Sequence, residues 1–147
     1  MQLSNHFSLA EAVFSQTAQR KGIPNDPDAE TIENMKEQAR GMEQVRELLG
    51  NLPVRVSSWY RGAKLNASVG GSKTSAHMDG YATDFTCPEY GSVSDVCRAI
   101  LDSTIDFDQL IREFDSEGGG WCHISFKPTL RKMALTIDST GTHAGIA

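Results

Sequence analysis

The stretch from Asp28 to Gly50 constrains the fold more than any other. Its apolar residues Ile32, Met35, Ala39, Met42, Val45 and Leu49 recur at steps of three and four, the spacing that lines one face of an α-helix. Asp28 is placed to cap the start and Gly50 to end it, which predicts a helix over about 29–49. A helix with one apolar stripe must lay that stripe on another layer. The later sequence supplies segments of a different period. Val54-Arg55-Val56-Ser57-Ser58 alternates, and Tyr81 to Thr86, Phe107 to Phe114, Trp121 to Phe126 and Lys132 to Ile137 also read as strands.

Shorter helices are expected at three places. Ser8-Leu9-Ala10-Glu11 has the pattern of a capping box, which predicts a helix over about Leu9 to Gln16. KGIPNDPD then reads as turn. Ala63 to Val69 fits one or two helical turns, and Val93 to Leu101 is amphipathic. Asp115 to Gly120 joins two strands as a hairpin. The stretch from Ser139 onward is expected to fray, which predicts a single domain over 1–138 and a flexible tail over 139–147. Helices first, then strands with one helix among them, predict an α+β fold: a small, mainly antiparallel sheet with helices packed on one side.

The chain has 147 residues and a formal net charge of -5, without a long basic run. Nucleic acid is therefore not expected as a partner. No stretch of about 18 apolar residues is present, so membrane insertion is not expected. The N-terminus lacks the basic and apolar regions of a signal peptide, which predicts synthesis and residence in the cytosol. Cys87, Cys97 and Cys122 are three in number and widely spaced. That suits buried hydrophobes better than a disulfide framework or a Cys-rich zinc site.

Three residues could meet around a cation. His77 lies in the loop before a strand, Asp84 on that strand and His123 on a later one. Two imidazoles and a carboxylate suit zinc with a fourth position open, although a hydrogen-bonded core or surface histidine is the plainer alternative. Glu113 ends the strand FDQLIRE, and the hairpin brings it to the His123 side of the sheet. A carboxylate there can take a proton from an attacking water. Asp115 and Glu117 are rivals, held in a Gly-rich turn that positions side chains poorly. Arg61 can hold a substrate carboxylate or polarise a carbonyl, and Ser75 can hydrogen-bond substrate. His6 and His143 are expected to be non-ligands. Cys122 should point away from His123, which disfavours it as a nucleophile.

These motifs resemble a known group. SSWYRGAKLNASVGGSKTSAHMDGYATDF, followed by FDQLIREF and WCHISF, is similar to the zinc D-alanyl-D-alanine carboxypeptidase superfamily, which shares its fold with the hedgehog signalling domain. The family pattern, S-x-H, six residues, D, and a late W-x-H, reads here as Ser75-Ala76-His77, Asp84 and Trp121-Cys122-His123. The opening HFSLAEAVFSQTAQRKGIPNDP resembles the phage and prophage branch. The resemblance implies a zinc ion held by His77, Asp84 and His123, Glu113 as general base, and Arg61 and Ser75 as substrate contacts. Many relatives carry the acid three residues before the final histidine, where this chain has Gly120. FDQLIRE matches the strand that bears the acid in the hedgehog-like members.

The function so implied is a zinc peptidase that hydrolyses a peptide bond in bacterial peptidoglycan. It could be a D,D-carboxypeptidase or a cross-link endopeptidase, with stem peptides as partners. A phage lysis enzyme of this kind would wait in the host cytoplasm and reach the wall through a holin pore. The alternatives are a non-catalytic zinc-containing binding module and a tail-associated protein that opens the wall.

Overall fold

The computed structural model describes residues 1–116 and 118–147. Three helices come first: α1 (Leu9–Val13), α2 (Gln16–Lys21) and α3 (Ala29–Leu48). They are followed by β1 (Arg55–Ser58), α4 (Ala63–Ser68), β2 (Ala82–Thr86), α5 (Val93–Leu101), β3 (Gln109–Glu113), β4 (Trp121–Ser125), β5 (Met133–Asp138) and β6 (Gly141–Ala144). The strands form one six-stranded sheet in the order β1-β2-β4-β3-β5-β6.

The long helix forms as its periodicity requires. Asp28 accepts a hydrogen bond from Thr31 N, and Met35, Ala39, Met42 and Val45 are buried along one face. Val96, Cys97 and Ile100 of α5 join that core, and Phe85, Leu110, Cys122 and Ile124 meet it from the sheet. Fully burying a side chain of this kind contributes about 1.5–3 kcal/mol. Gln38 is buried in the same face and is satisfied by the sheet. Its Nε2 donates to Thr83 Oγ1 (3.1 Å) and to Ile124 O (3.0 Å), and its Oε1 accepts from Phe126 N (2.9 Å). A buried amide without such partners would be costly. These bonds fix the height of α3 over β2 and β4.

The sheet departs from a purely antiparallel arrangement at one place. β1 with β2, β2 with β4, β4 with β3, and β5 with β6 are antiparallel, but β3 and β5 are parallel. The reason is topological. β2 already occupies one edge of β4 and β3 the other, so the strand following β4 cannot pair with it and enters instead at the free edge of β3. It then runs the same way as β3. Asp108 secures the crossing: it accepts from Thr129 Oγ1 (2.6 Å) and from Arg131 N, Nε and Nη2 (3.1, 2.9 and 2.9 Å).

Two local expectations change. The first helix ends at Val13, because Ser15 restarts the chain by capping α2 at Ala18 N. The segment after Ser139, expected to fray, contains β6, which pairs with β5 from Asp138↔Gly141 to Leu135↔Ala144. Asp138 closes the intervening turn by accepting from Thr140 N at 2.8 Å. No helix among the described residues is long and apolar enough to cross a membrane.

Candidate metal centre

Strand alternation places two faces on the sheet. Phe85, Cys122 and Ile124 point into the helical layer, while Asp84, His123 and Glu113 project from the other face. The register pairs Asp84 with His123 on adjacent strands, and Glu113 with Trp121, one diagonal step from His123. His77 arrives from the loop before β2. Gly80 turns that loop with φ +80°, where a Cβ would stand 2.5 Å from Met35 Cγ. Only glycine combines that conformation with that space.

The three side chains expected to converge do so. His77, Asp84 and His123 are all buried, and each offers a donor atom within 4.8 Å of the others. His77 Nε2 lies 3.2 Å from Asp84 Oδ2, and His123 Nδ1 lies 2.8 Å from Asp84 Oδ1. Donors that share a tetrahedral zinc at ~2.0–2.1 Å are about 3.3 Å apart, so the cluster is close to ligand spacing. His77 Nδ1 donates to the Trp59 carbonyl at 2.6 Å. That bond fixes the tautomer and turns the buried Nε2 toward Asp84, where it makes no well-aligned hydrogen bond among the described residues. Such an outer hydrogen bond on a ligand histidine is the usual companion of a metal. The residues therefore fit a metal ion.

The electrostatics follow from this crowding. Burial by itself would raise the Asp84 carboxyl, but the two histidines outweigh it and hold the group well below the usual carboxylate range. Burial would lower His123, yet its hydrogen bond to Asp84 and the charges of Asp84 and Glu113 raise it. Glu113 is raised, first by burial and then by the Asp84 charge, against the opposing pull of His123 and Arg61. Its Oε1 is 3.8 Å from His123 Nδ1. A carboxyl pushed upward in this way is a stronger proton acceptor when ionised.

Among the rival acids, Asp115 is taken by Arg112, whose Nε donates to both its oxygens at 2.7 and 2.9 Å. Glu117 lies outside the described residues. Gly120, three residues before His123, has φ +72°, and a Cβ there would meet Glu113 O at 2.4 Å and Asp115 N at 2.6 Å. This hairpin excludes any side chain at that point.

Arg61 and Ser75 also reach the site. Arg61 Nη2 is 3.4 Å from Ser75 Oγ, and the buried Nε of Arg61 has no partner among the described residues. Ser75 Oγ also accepts from His77 N at 3.2 Å. His6 and His143 pair with Glu43 and Asp138 near the surface, away from the cluster. Cys122 is wholly buried on the far face.

Sequence reasoning missed Asn25. Its Nδ2 donates to Val13 O (2.9 Å) and Tyr60 O (3.0 Å), and its Oδ1 accepts from Gly62 N (2.8 Å). The side chain thus grips the backbone on both sides of Arg61. Between Pro24 and Asp26-Pro27 it looked like one more turn residue, and nothing local marks its long reach. Asp108 and Arg131, which line the same cleft as the cluster, were missed for the same reason.

A mixed sheet under two helices, carrying a buried His-Asp-His set with a carboxylate beside it, defines a candidate single-metal hydrolase. The chain belongs to the Peptidase M15 family, whose model matches residues 5–124. It is thereby placed among zinc-dependent metallopeptidases, and the matched span contains His77, Asp84, Glu113 and His123. No curated protein matches the sequence.

Proposed function

We propose that the chain is a zinc peptidase of bacterial peptidoglycan, acting as a carboxypeptidase or a cross-link endopeptidase, and that it serves a phage or prophage as a lysis enzyme. The observation that carries the peptidase reading is the meeting of His77 Nε2, Asp84 and His123 Nδ1 beside Glu113. The wall and phage reading rests on the sequence resemblance. In the phage setting the protein waits in the host cytoplasm, and a holin pore gives it access to the stem peptides.

His77, Asp84 and His123 would hold the zinc, which when bound supplies Lewis-acid polarisation of the scissile carbonyl and lowers the pKa of the attacking water. Glu113 takes a proton from that water and passes it to the departing amine. The C–N bond breaks, the water oxygen joins the acyl carbon, and the amine leaves with the proton. Arg61 presents its unpartnered Nε to the oxygen that gains charge. Ser75 orients Arg61 and faces the substrate. The side chains of Glu113 and Arg61 beside the cluster favour catalysis over a binding role.

The test compares wild type with Glu113→Gln for zinc content and for amine release from purified sacculi. We expect equal zinc and an activity loss of about 10²–10⁴-fold, the usual contribution of a general base. Full activity in the variant would reject Glu113 as the base. Zinc-free material with full activity, insensitive to chelator, would reject the metal mechanism.

A further inference from the structure

Strand β4 carries the metal-ligand histidine at its centre, and unpartnered polar groups lie on either side of it. Trp121, His123 and Ser125 project from the same face; Ser125 Oγ is buried without a hydrogen-bond partner among the described residues, and the buried Trp121 Nε1, which makes no well-aligned hydrogen bond among them, leans toward the Glu113 carboxylate. At about 3.4 Å per residue, each stands ~7 Å along the strand from His123, in opposite directions. Buried polar groups are nearly always satisfied. A peptide backbone lying along β4 would offer an acceptor to each.

Two cavities extend this line. One, of about 560 Å³, contains the cluster and runs past Ser125 to Lys127 and Arg131. The other, of about 540 Å³, opens at the Trp121 end among Phe14, Val56, Tyr60, Leu65 and Val69. Both are lined by Arg61, Asp84 and Trp121, so they meet at the reacting centre. Their chemistry differs. Arg131 spends Nε and Nη2 on Asp108 yet remains half exposed, and the Lys127 side chain is 40% exposed, its ammonium 3.5 Å from the exposed Asp79 carboxylate. Phe14 and Val69 expose apolar surface at the opposite end, at 53% and 42%. An enzyme that trims one terminal residue needs room for that residue alone on the leaving side. This cleft is open in both directions.

We propose that the cleft holds a peptide on both sides of the scissile bond, with an apolar group toward Phe14 and Val69 and a carboxylate toward Lys127 and Arg131, so that the chain is an endopeptidase. This rests on the peptidase reading and selects one bond class within it. Wall stem peptides, which alternate small apolar residues with free carboxylates, match both ends.

The experiment uses the full chain loaded with zinc. It is offered a disaccharide pentapeptide and a cross-linked dimer, and the products are weighed by mass spectrometry. We expect cleavage at an internal bond, each product retaining at least two residues. Val69→Trp, which fills the apolar end, and Lys127→Glu, which reverses the charge of the other, should each lower kcat/KM for that substrate by about tenfold or more, the usual effect of spoiling a specificity contact. Zinc content should be retained. Each substitution should also weaken binding of the intact peptide to the Glu113→Gln protein in calorimetry. Release of a single terminal residue alone, or binding unchanged in both variants, overturns the inference and leaves the peptidase reading standing. No cleavage of any wall peptide overturns both.

Discussion

Trp59 braces the His77 loop at two points: its carbonyl accepts from His77 Nδ1 at 2.6 Å, and its indole Nε1 donates to Gly80 O at 2.9 Å. The same residue is buried against Phe7 in the core. The His77 loop is thereby tied to the hydrophobic interior, and the His77 ring is held in one tautomer.

Trp59→Phe keeps the carbonyl and most of the packing but loses the indole bond. Support lost behind a ligand histidine commonly weakens metal affinity by about 10–100-fold. We expect zinc affinity, measured by competition with a chromogenic chelator, to fall within that range, with the far-ultraviolet circular dichroism of the fold retained.

Asn25→Ala releases Tyr60 O and Gly62 N, the backbone groups on either side of Arg61. These hydrogen bonds are partly buried, and one of that kind contributes about 0.5–1.5 kcal/mol, so the denaturant midpoint should drop. Beyond this, kcat should fall at least tenfold while zinc content is unchanged, because the guanidinium loses its placement. A midpoint shift with kcat preserved would show that Asn25 serves stability alone.

Gly120→Ala tests whether the β3–β4 hairpin dictates where the acid can lie. The new Cβ meets backbone on both sides at a positive φ. A substitution incompatible with its backbone costs more than ~1 kcal/mol. The strain falls on Glu113 O, so catalysis and stability should decline together. Chemical denaturation and sacculus hydrolysis measured on the same preparation check both.

The Asp108 carboxyl is held well below the usual range, chiefly by its hydrogen bonds to Arg131 and with Thr129 adding to them, against the upward push of burial. A lowered folded-state pKa stabilises the fold above the unfolded value of about 3.9, and that contribution is lost as the pH falls further. Thermal midpoints of wild type and Asp108→Asn should therefore converge as the pH is lowered from 6 through about 4 toward 2.5 (roughly the range over which an ordinary aspartate protonates). At neutral pH we expect the variant to be less stable by about 1.5–3 kcal/mol, the size of a hydrogen bond to a charged group.

Much of this was legible from residue order alone. The stripe from Ile32 to Leu49 specified α3 because helical periodicity depends only on neighbours three and four residues away. The alternation in β1, β2 and β4 separated core from site residues, which is why Asp84 and His123 could be assigned to one face and Cys122 to the other. The break between α1 and α2 was hidden, since Ser15 reads as an ordinary helix residue until its side chain caps Ala18. β6 was hidden because its stability comes from pairing with β5 and from the Asp138 turn, not from its own composition.

The sequence by itself determined the elements and the chemistry on offer: one long amphipathic helix, a set of short strands, and a spaced Ser-x-His, Asp and Trp-x-His pattern with Glu113 ahead of it. Only the tertiary structure decided that β5 runs parallel to β3, that Asn25 grips the chain around Arg61, and that two cavities meet at Arg61, Asp84 and Trp121. Strand pairing and long-range hydrogen bonds depend on which edges are already occupied when the chain returns. No local pattern of residues carries that information.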